Sequence, residues 1–307
     1  MAASPTEPLI SIERSVRSAL AGAIARLEAD NVPSAPLAAE LLLMHVLGRD
    51  RAFLYAHPEF VLDADQNARF SQLVERRAAG TPVQYLTGRQ EFWGLEFEVN
   101  PSVLIPRPET EHVVEVALAR IGERRADPLT VADAGTGSGC LAVALARELP
   151  NARFLATDIS RVTLDVARRN AERRGLAGRI EFRRANFLRT YLADSRPVKR
   201  CFDLIVSNPP YIGLSEASSL PREVREHEPQ EALFAGPEGD EAYPRLITQA
   251  AALLRNGGWL VMELGHQSAA RVAPLLQKPV WVDVAVERDL AGIDRVISAR
   301  RAPRDSA

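Results

Sequence analysis

Cysteine is scarce in this 307-residue chain, which has only Cys140 and Cys201. Two thiols support neither a disulfide framework nor a metal cluster, and a reducing cytoplasm is the expected compartment. No basic segment followed by an apolar run opens the sequence, and no stretch approaches the roughly 18 consecutive apolar residues of a membrane span. A membrane role is therefore not expected. Charge of one sign is lacking too, since 38 Lys and Arg stand against 40 Asp and Glu for a formal net charge of −2. Affinity gained mainly by neutralising phosphates is not expected of such a balance, and neither is stable nucleic-acid binding. What is present is 46% hydrophobic and 25% charged residues, a globular composition that excludes wholesale disorder. The length suits one large or two ordinary domains.

Residues 1–85 read as a bundle of four or five helices. Val16, Leu20, Ala23, Ile24 and Leu27 share one face of a 3.6-residue period until Pro33-Ser34-Ala35-Pro36 breaks it. Leu37, Leu41, Met44 and Leu47 repeat the pattern up to Gly48, and Phe70, Leu73, Val74 and Arg77 predict a helix ending at Gly80. No residue set there suggests catalysis. Between 86 and 105 the period changes to two, with Phe92, Leu95, Phe97 and Val99 around Trp93-Gly94, which predicts a hairpin linking the halves.

From 106 to 307 strand-like and helical segments alternate, as in a parallel sheet covered on both faces. The strands are expected at Leu129–Asp133, Arg153–Thr157, Ile180–Arg183, Leu204–Ser207 and Trp259–Leu264. Val280–Val286 and Arg295–Ala299 are joined by too short a loop for a crossover helix, so the last strand should run antiparallel.

Two segments carry chemistry. Asp133-Ala134-Gly135-Thr136-Gly137-Ser138-Gly139 is a strand entering a glycine-rich turn before a predicted helix, and glycine lets a ligand approach the backbone closely. Asp158 ends the next strand, near the spacing at which an acidic side chain meets ribose hydroxyls. Together they point to a nucleoside, although the spacing is not the G-x-G-x-x-G of a dinucleotide fold. Asn208-Pro209-Pro210-Tyr211 follows a second apolar strand, where the carboxyl ends of strands collect ligands. The Asn208 side-chain oxygen and the Pro209 carbonyl are acceptors that suit an NH2 group, and Tyr211 offers an aromatic face. His45, His57, His112, His227 and His266 lack metal-ligand spacing, and no metal is expected. Cys140 reads as a packing residue, Pro106 to Glu111 as a helix start with acidic residues in its first turn, and Arg168, Arg169, Arg173 and Arg174 as a solvated helix face.

With these motifs the chain resembles class I S-adenosylmethionine-dependent methyltransferases, and among them the release factor glutamine methyltransferases, the HemK or PrmC family. The resemblance spans nearly the whole sequence. It includes Leu104 to Glu111, the loop from Asp133 to Gly139, Asp158, Asn170-Ala171, Asn208 to Tyr211, Glu228-Pro229, Glu263-Leu264-Gly265, Asp289 to Gly292 and Arg295-Val296. Pro106-Arg107-Pro108-Glu109-Thr110-Glu111 separates it from related enzymes that modify a ribosomal protein. The resemblance implies a Rossmann-like α/β sheet of seven strands, the last antiparallel, behind an N-terminal helical bundle and a β-hairpin. It implies that Gly135, Thr136, Gly137, Ser138 and Gly139 meet the methionine part of S-adenosylmethionine, Asp158 the ribose and Phe187 the adenine. Asn186 stands where many relatives carry an acidic residue that accepts from the adenine amine. Asn208, Pro209, Pro210 and Tyr211 would hold the substrate glutamine, with Asn208, Pro209 and Tyr211 serving catalysis and Asn208 also near the cofactor. The implied activity is methylation of the glutamine amide in the Gly-Gly-Gln loop of peptide chain release factors by a monomeric enzyme whose helical domain recognises the substrate. Methylation of a ribosomal-protein glutamine, or of a nucleic-acid adenine or cytosine amino group by a similar Asn-Pro-Pro-aromatic turn, is the alternative. A cofactor-binding docking module without activity is another.

Overall fold

The structure, a computed structural model, describes residues 14–189 and 201–303. The expected domain ranges extend beyond these at 1–13, 190–200 and 304–307, which lie outside the described residues. The chain divides into two compact units with the boundary after Gly88.

In the first unit the strand β1 (Arg14–Ser15) pairs antiparallel with β2 (Val61–Leu62), and five helices follow the expected breaks. These are α1 (Val16–Ala29), α2 (Ala35–Leu47), α3 (Arg51–Ala56), α4 (Ala64–Ala78) and α5 (Val83–Thr87). Side chains select their starts. The Asp50 carboxylate accepts from the Phe53 N–H at 2.9 Å, and Asp63 and Gln66 form a reciprocal capping box at the head of α4. Gly48, with φ of +62°, ends α2 in the left-handed conformation. The buried stripe of α2 differs from the expected one. Ala38, Ala39, Leu42, Leu43 and Val46 are buried, whereas Leu37 is 45% exposed. This helix is apolar on nearly every face, so periodicity alone does not choose the side that packs.

The second unit opens with the hairpin, β3 (Arg89–Phe92) and β4 (Leu95–Glu98), around Trp93 and Gly94, both at positive φ. Phe92 and Phe97 are buried in this unit's core, so the segment expected as a linker packs into the sheet domain. There follow α6 (Glu111–Ile121), β5 (Thr130–Ala134), α7 (Cys140–Glu148), β6 (Arg153–Asp158), α8 (Arg161–Arg173), β7 (Ile180–Arg184) and β8 (Phe202–Ser207). After β8 come β9 (Ile212–Gly213), α9 (Arg222–His227), α10 (Gln230–Leu233), β10 (Phe234–Gly236), α11 (Ala242–Leu253), β11 (Leu254–Glu263) and α12 (Ala269–Val272). β12 (Trp281–Arg288) and β13 (Asp294–Arg301) complete the unit.

Seven strands form one sheet in the order β12-β13-β11-β8-β5-β6-β7. β11, β8, β5, β6 and β7 are parallel, and β13 is antiparallel to both of its neighbours, as the short loop before it predicts. The chain builds outward from β5 through β6 to β7, then returns to place β8 on the other side of β5. Crossovers therefore leave β5 and β8 in opposite directions, which opens a crevice at their carboxyl ends. Alanine and branched apolar residues of α6 and α7 cover one face of the sheet, and Tyr243, Leu246 and Ala250 of α11 cover the other.

The arginine run on α8 is not simply a solvated face. Arg169 and Arg173 both pair with Glu98, and Arg174 donates to the Glu96 carbonyl at 2.6 Å, so the run clasps the hairpin. Arg168 pairs locally with Asp165. Among the described residues no helix is long and apolar enough to cross a membrane, and no cluster of His, Cys, Asp and Glu has the arrangement of a metal site.

Candidate active site

A cavity of about 720 Å³ opens at the carboxyl ends of β5, β6 and β8, entirely within the second unit. Its first wall is the turn after β5. Gly135, Gly137 and Gly139 have φ of +82°, +55° and +84°, values that side chains rarely adopt. Gly139 also has no room for more, since an added Cβ would lie 3.1 Å from the Ala167 Cβ and 3.3 Å from its Cα. Beneath the turn Asp133 is fully buried. Its Oδ2 accepts from the Thr136 hydroxyl at 2.6 Å and from the Ala142 N–H at 3.1 Å, which joins the turn to the first turn of α7. Its Oδ1 has no partner, and burial pushes its carboxyl up to about 7. Asn170 fastens the turn from the side, donating to the Ser138 carbonyl at 2.9 Å.

Asp158 at the end of β6 forms the second wall. Its Oδ2 accepts from the Gly137 N–H at 3.2 Å and its Oδ1 from the Ser160 N–H at 3.0 Å. Each oxygen retains a lone pair for a further donor. Burial raises this carboxyl above the ordinary range, against the pull of those backbone N–H groups. Asn186 and Phe187 line the cavity beside it. Phe187 stands at φ +51°, uncommon for an aromatic residue, and its Cε1 lies 3.7 Å from where a Gly135 Cβ would be.

The third wall is the turn after β8. The Ser207 hydroxyl donates to the Ala134 carbonyl at 2.5 Å and so ties the ends of β8 and β5 together. Asn208 and Pro210 line the cavity. Asn208 Nδ2 donates to Thr110 Oγ1 at 3.0 Å, and among the described residues no donor reaches its Oδ1. Pro209 and Tyr211 do not line the cavity, and neither does Gly139. Tyr211 does not present an aromatic face there. Its hydroxyl donates to Glu263 Oε1 at 3.2 Å, and its ring lies so close to Gly265 that a Cβ on that glycine would come within 2.8 Å of Cδ2.

Four residues that sequence reasoning left without a role support these walls. Thr110, in the single turn before α6, donates to Glu263 Oε2 at 2.6 Å, and both residues are almost completely buried. Burial pushes the Glu263 carboxyl up to about 7, moderated by Thr110, Arg295 and Tyr211. Arg107 donates to the buried Glu228 at 2.5 Å, and the other Glu228 oxygen accepts from the Ile105 N–H at 3.3 Å. This pair closes the segment 104–108 onto the chain before α10. A carboxylate ending the apolar strand Trp259–Met262 was the available signal for Glu263. For Thr110 the signal was its place in the Pro106 to Glu111 motif that carries the resemblance, which named no role for it. Cys140 is buried, as expected of a packing residue, and burial pushes its thiol up to about 12.

Residues 18–88 match the family described as PrmC N-terminal domain, and residues 126–277 match a methyltransferase domain family. The release factor glutamine methyltransferase of Koribacter versatilis is 43% identical over 286 residues, covering 93% of this chain and 98% of the relative. That of Nitratidesulfovibrio vulgaris is 44% identical, covering 90% of this chain and 92% of the relative. The crystal structure of the hMettl16 catalytic domain shares the fold, with a TM-score of 0.55 over 76% of this chain and 83% of that one, at 19% identity. Identity of 43% and 44% across almost the full length of both chains places the chain in the release factor glutamine methyltransferase family.

Proposed function

We propose that this protein transfers the methyl group of S-adenosylmethionine to the side-chain amide nitrogen of the glutamine in the Gly-Gly-Gln motif of peptide chain release factors. The observation that carries this reading is the Asn208 amide, which lines the cavity with its Nδ2 engaged by Thr110 and its Oδ1 free to accept.

The cavity suits the cofactor part by part. The glycine turn lets backbone meet the methionine portion, Asp158 retains lone pairs for ribose hydroxyls, and Phe187 with Asn186 supplies an aromatic wall and a polar amide for adenine. When bound, S-adenosylmethionine supplies an electrophilic methyl group. The protein's task is to make a poor nucleophile react. A carboxamide nitrogen delocalises its lone pair into the carbonyl, so it attacks only when held in line. Asn208 Oδ1 accepts one N–H of the glutamine amide, while Pro210 shapes the wall beside it. Nitrogen gains positive charge during transfer, and fixed oxygens beside it stabilise that charge by about 3 kcal/mol for each preorganised group. Tyr211 acts on the site through Glu263 rather than by contact.

The helical domain, residues 1–85, serves recognition of the folded acceptor in this reading, since the second unit already contains the cofactor walls and the amide acceptors. The enzyme works as a monomer in the cytoplasm, the compartment of its acceptor. Recombinant protein incubated with methyl-labelled cofactor should label release factor at the glutamine, and not ribosomes or DNA. Asn208→Ala should abolish labelling while leaving cofactor affinity close to that of the wild type. Labelling of ribosomes or DNA in place of release factor would overturn the proposal.

A further inference from the structure

A planar amide such as that of Asn208 can face a cavity with either its oxygen or its NH2 group, and the two ends have opposite chemistry. An oxygen accepts from a glutamine N–H, whereas an NH2 group would repel it and favour a carboxylate. We propose that Thr110, held in turn by Glu263, is a positioning residue that fixes the Asn208 amide with its oxygen toward the cavity and so makes the site select an NH2-bearing acceptor. This rests on the reading that Asn208 receives the acceptor amide.

Proton counting carries the argument. The Thr110 hydroxyl has one proton, and an ionised carboxylate has none. Glu263 Oε2 takes that proton at 2.6 Å, and Glu263 Oε1 takes the Tyr211 proton at 3.2 Å. With its proton committed, the Thr110 oxygen can only accept, and the partner that donates to it is Asn208 Nδ2 at 3.0 Å. Flipping the amide would oppose two sets of lone pairs. Water offers no relief, because Thr110 is 2% and Glu263 1% exposed. The chain supplies these groups from distant segments: Thr110 before α6, Asn208 and Tyr211 after β8, and Glu263 at the end of β11. The close approach of Gly265 to the Tyr211 ring keeps the Tyr211 hydroxyl on Glu263. Only the assembled sheet creates the relay.

The test compares Thr110→Val, which keeps shape and removes the hydroxyl, with Thr110→Ser, which keeps the hydroxyl, in the full-length protein. Two readouts are taken. One is kcat for release factor at saturating cofactor, alongside cofactor Kd by calorimetry. The other is the Asn208 side-chain NH2 signal in protein labelled with 15N-asparagine, assigned by its loss in Asn208→Ala. Thr110→Val should lower kcat by about tenfold or more, leave cofactor Kd within about twofold, and speed solvent exchange of the Asn208 NH2 protons. Thr110→Ser should keep kcat within about threefold of wild type and retain the slow exchange. Wild-type turnover with an unchanged NH2 signal in Thr110→Val would overturn the proposal, as would an equal kcat loss in Thr110→Ser. Should Thr110→Val not fold, the serine variant and the wild-type exchange rate decide, and fast exchange in wild type refutes the relay. A wild-type protein that labels no release factor instead defeats the functional reading, while the NH2 signal still decides the orientation.

Discussion

Asn170 is where the hairpin, α8 and the glycine turn meet, and replacing it isosterically by aspartate isolates the donor half of its amide. Its Oδ1 accepts from the Glu98 N–H at 2.7 Å, and its Nδ2 donates to the carbonyls of Glu98 at 3.0 Å and Ser138 at 2.9 Å. Asn170→Asp preserves the first bond and turns an acceptor toward both carbonyls at a position only 2% exposed. Two intramolecular hydrogen bonds contribute about 1 kcal/mol each, and buried carbonyls left unpaired cost about 1–3 kcal/mol more, so a loss of about 3–5 kcal/mol is expected. All three tryptophans, Trp93, Trp259 and Trp281, lie after Gly88. Urea unfolding followed by tryptophan fluorescence therefore reports the second unit alone. The loss should be full at pH 8 and smaller at pH 5.5, where the introduced carboxyl regains a proton and can donate to one carbonyl. Affinity for S-adenosylmethionine should fall with it, because the Ser138 carbonyl anchors the cofactor turn. A deficit below about 1 kcal/mol at pH 8, or the same deficit at both pH values, would refute the reasoning.

Asp158→Ala removes the acceptor assigned to ribose and should weaken cofactor binding about tenfold or more while the fold persists; calorimetry showing unchanged affinity would defeat that assignment. Asp133 and Glu263 are both pushed up to about 7 by burial, so the folded state favours their protonated forms. Their contribution to folding stability is present below the ordinary carboxylate pKa and is lost as pH rises through about 7. Turnover should move the opposite way, falling about tenfold per unit below pH 7, because the relay through Thr110 requires ionised Glu263. The groups acting on Glu263 are Thr110, Arg295 and Tyr211, which lower its pKa, and Glu109, which raises it; a flat activity profile from pH 5.5 to 8.5 would contradict the relay. In the helical unit Tyr55 and Val61 are 66% and 47% exposed, and replacing both by serine should raise KM for intact release factor about tenfold with cofactor affinity unchanged. Steady-state kinetics with an unaltered KM would remove these side chains from substrate recognition.

Much of this architecture is local and was therefore legible in the chain. Alternating strand and helix patterns, the glycine turn after an apolar strand and the brief loop before β13 each act over a few residues, and they suffice for the seven-stranded sheet with its antiparallel last strand. The same locality brought Gly135 to Gly139, Asp158 and Asn208 to notice, because strand ends at a crossover are where ligands bind, whereas Asn186 and Phe187 came only with the family resemblance. Periodicity failed on α2, whose apolar residues surround the helix, and packing alone chose its buried face. Charge pattern failed on α8, where the arginines meet Glu98 and the Glu96 carbonyl across about 70 residues of sequence. Tyr211 read as an aromatic wall, yet the tight approach of Gly265 and the buried Glu263 turn it away from the cavity. Thr110 and Glu263 are 153 residues apart and share a hydrogen bond only because α6, which Thr110 precedes, packs against β11, which Glu263 ends. A donor and acceptor so separated leave no mark in local composition, so the chain itself determined which groups could take part, and tertiary packing decided which end of the Asn208 amide faces the cavity.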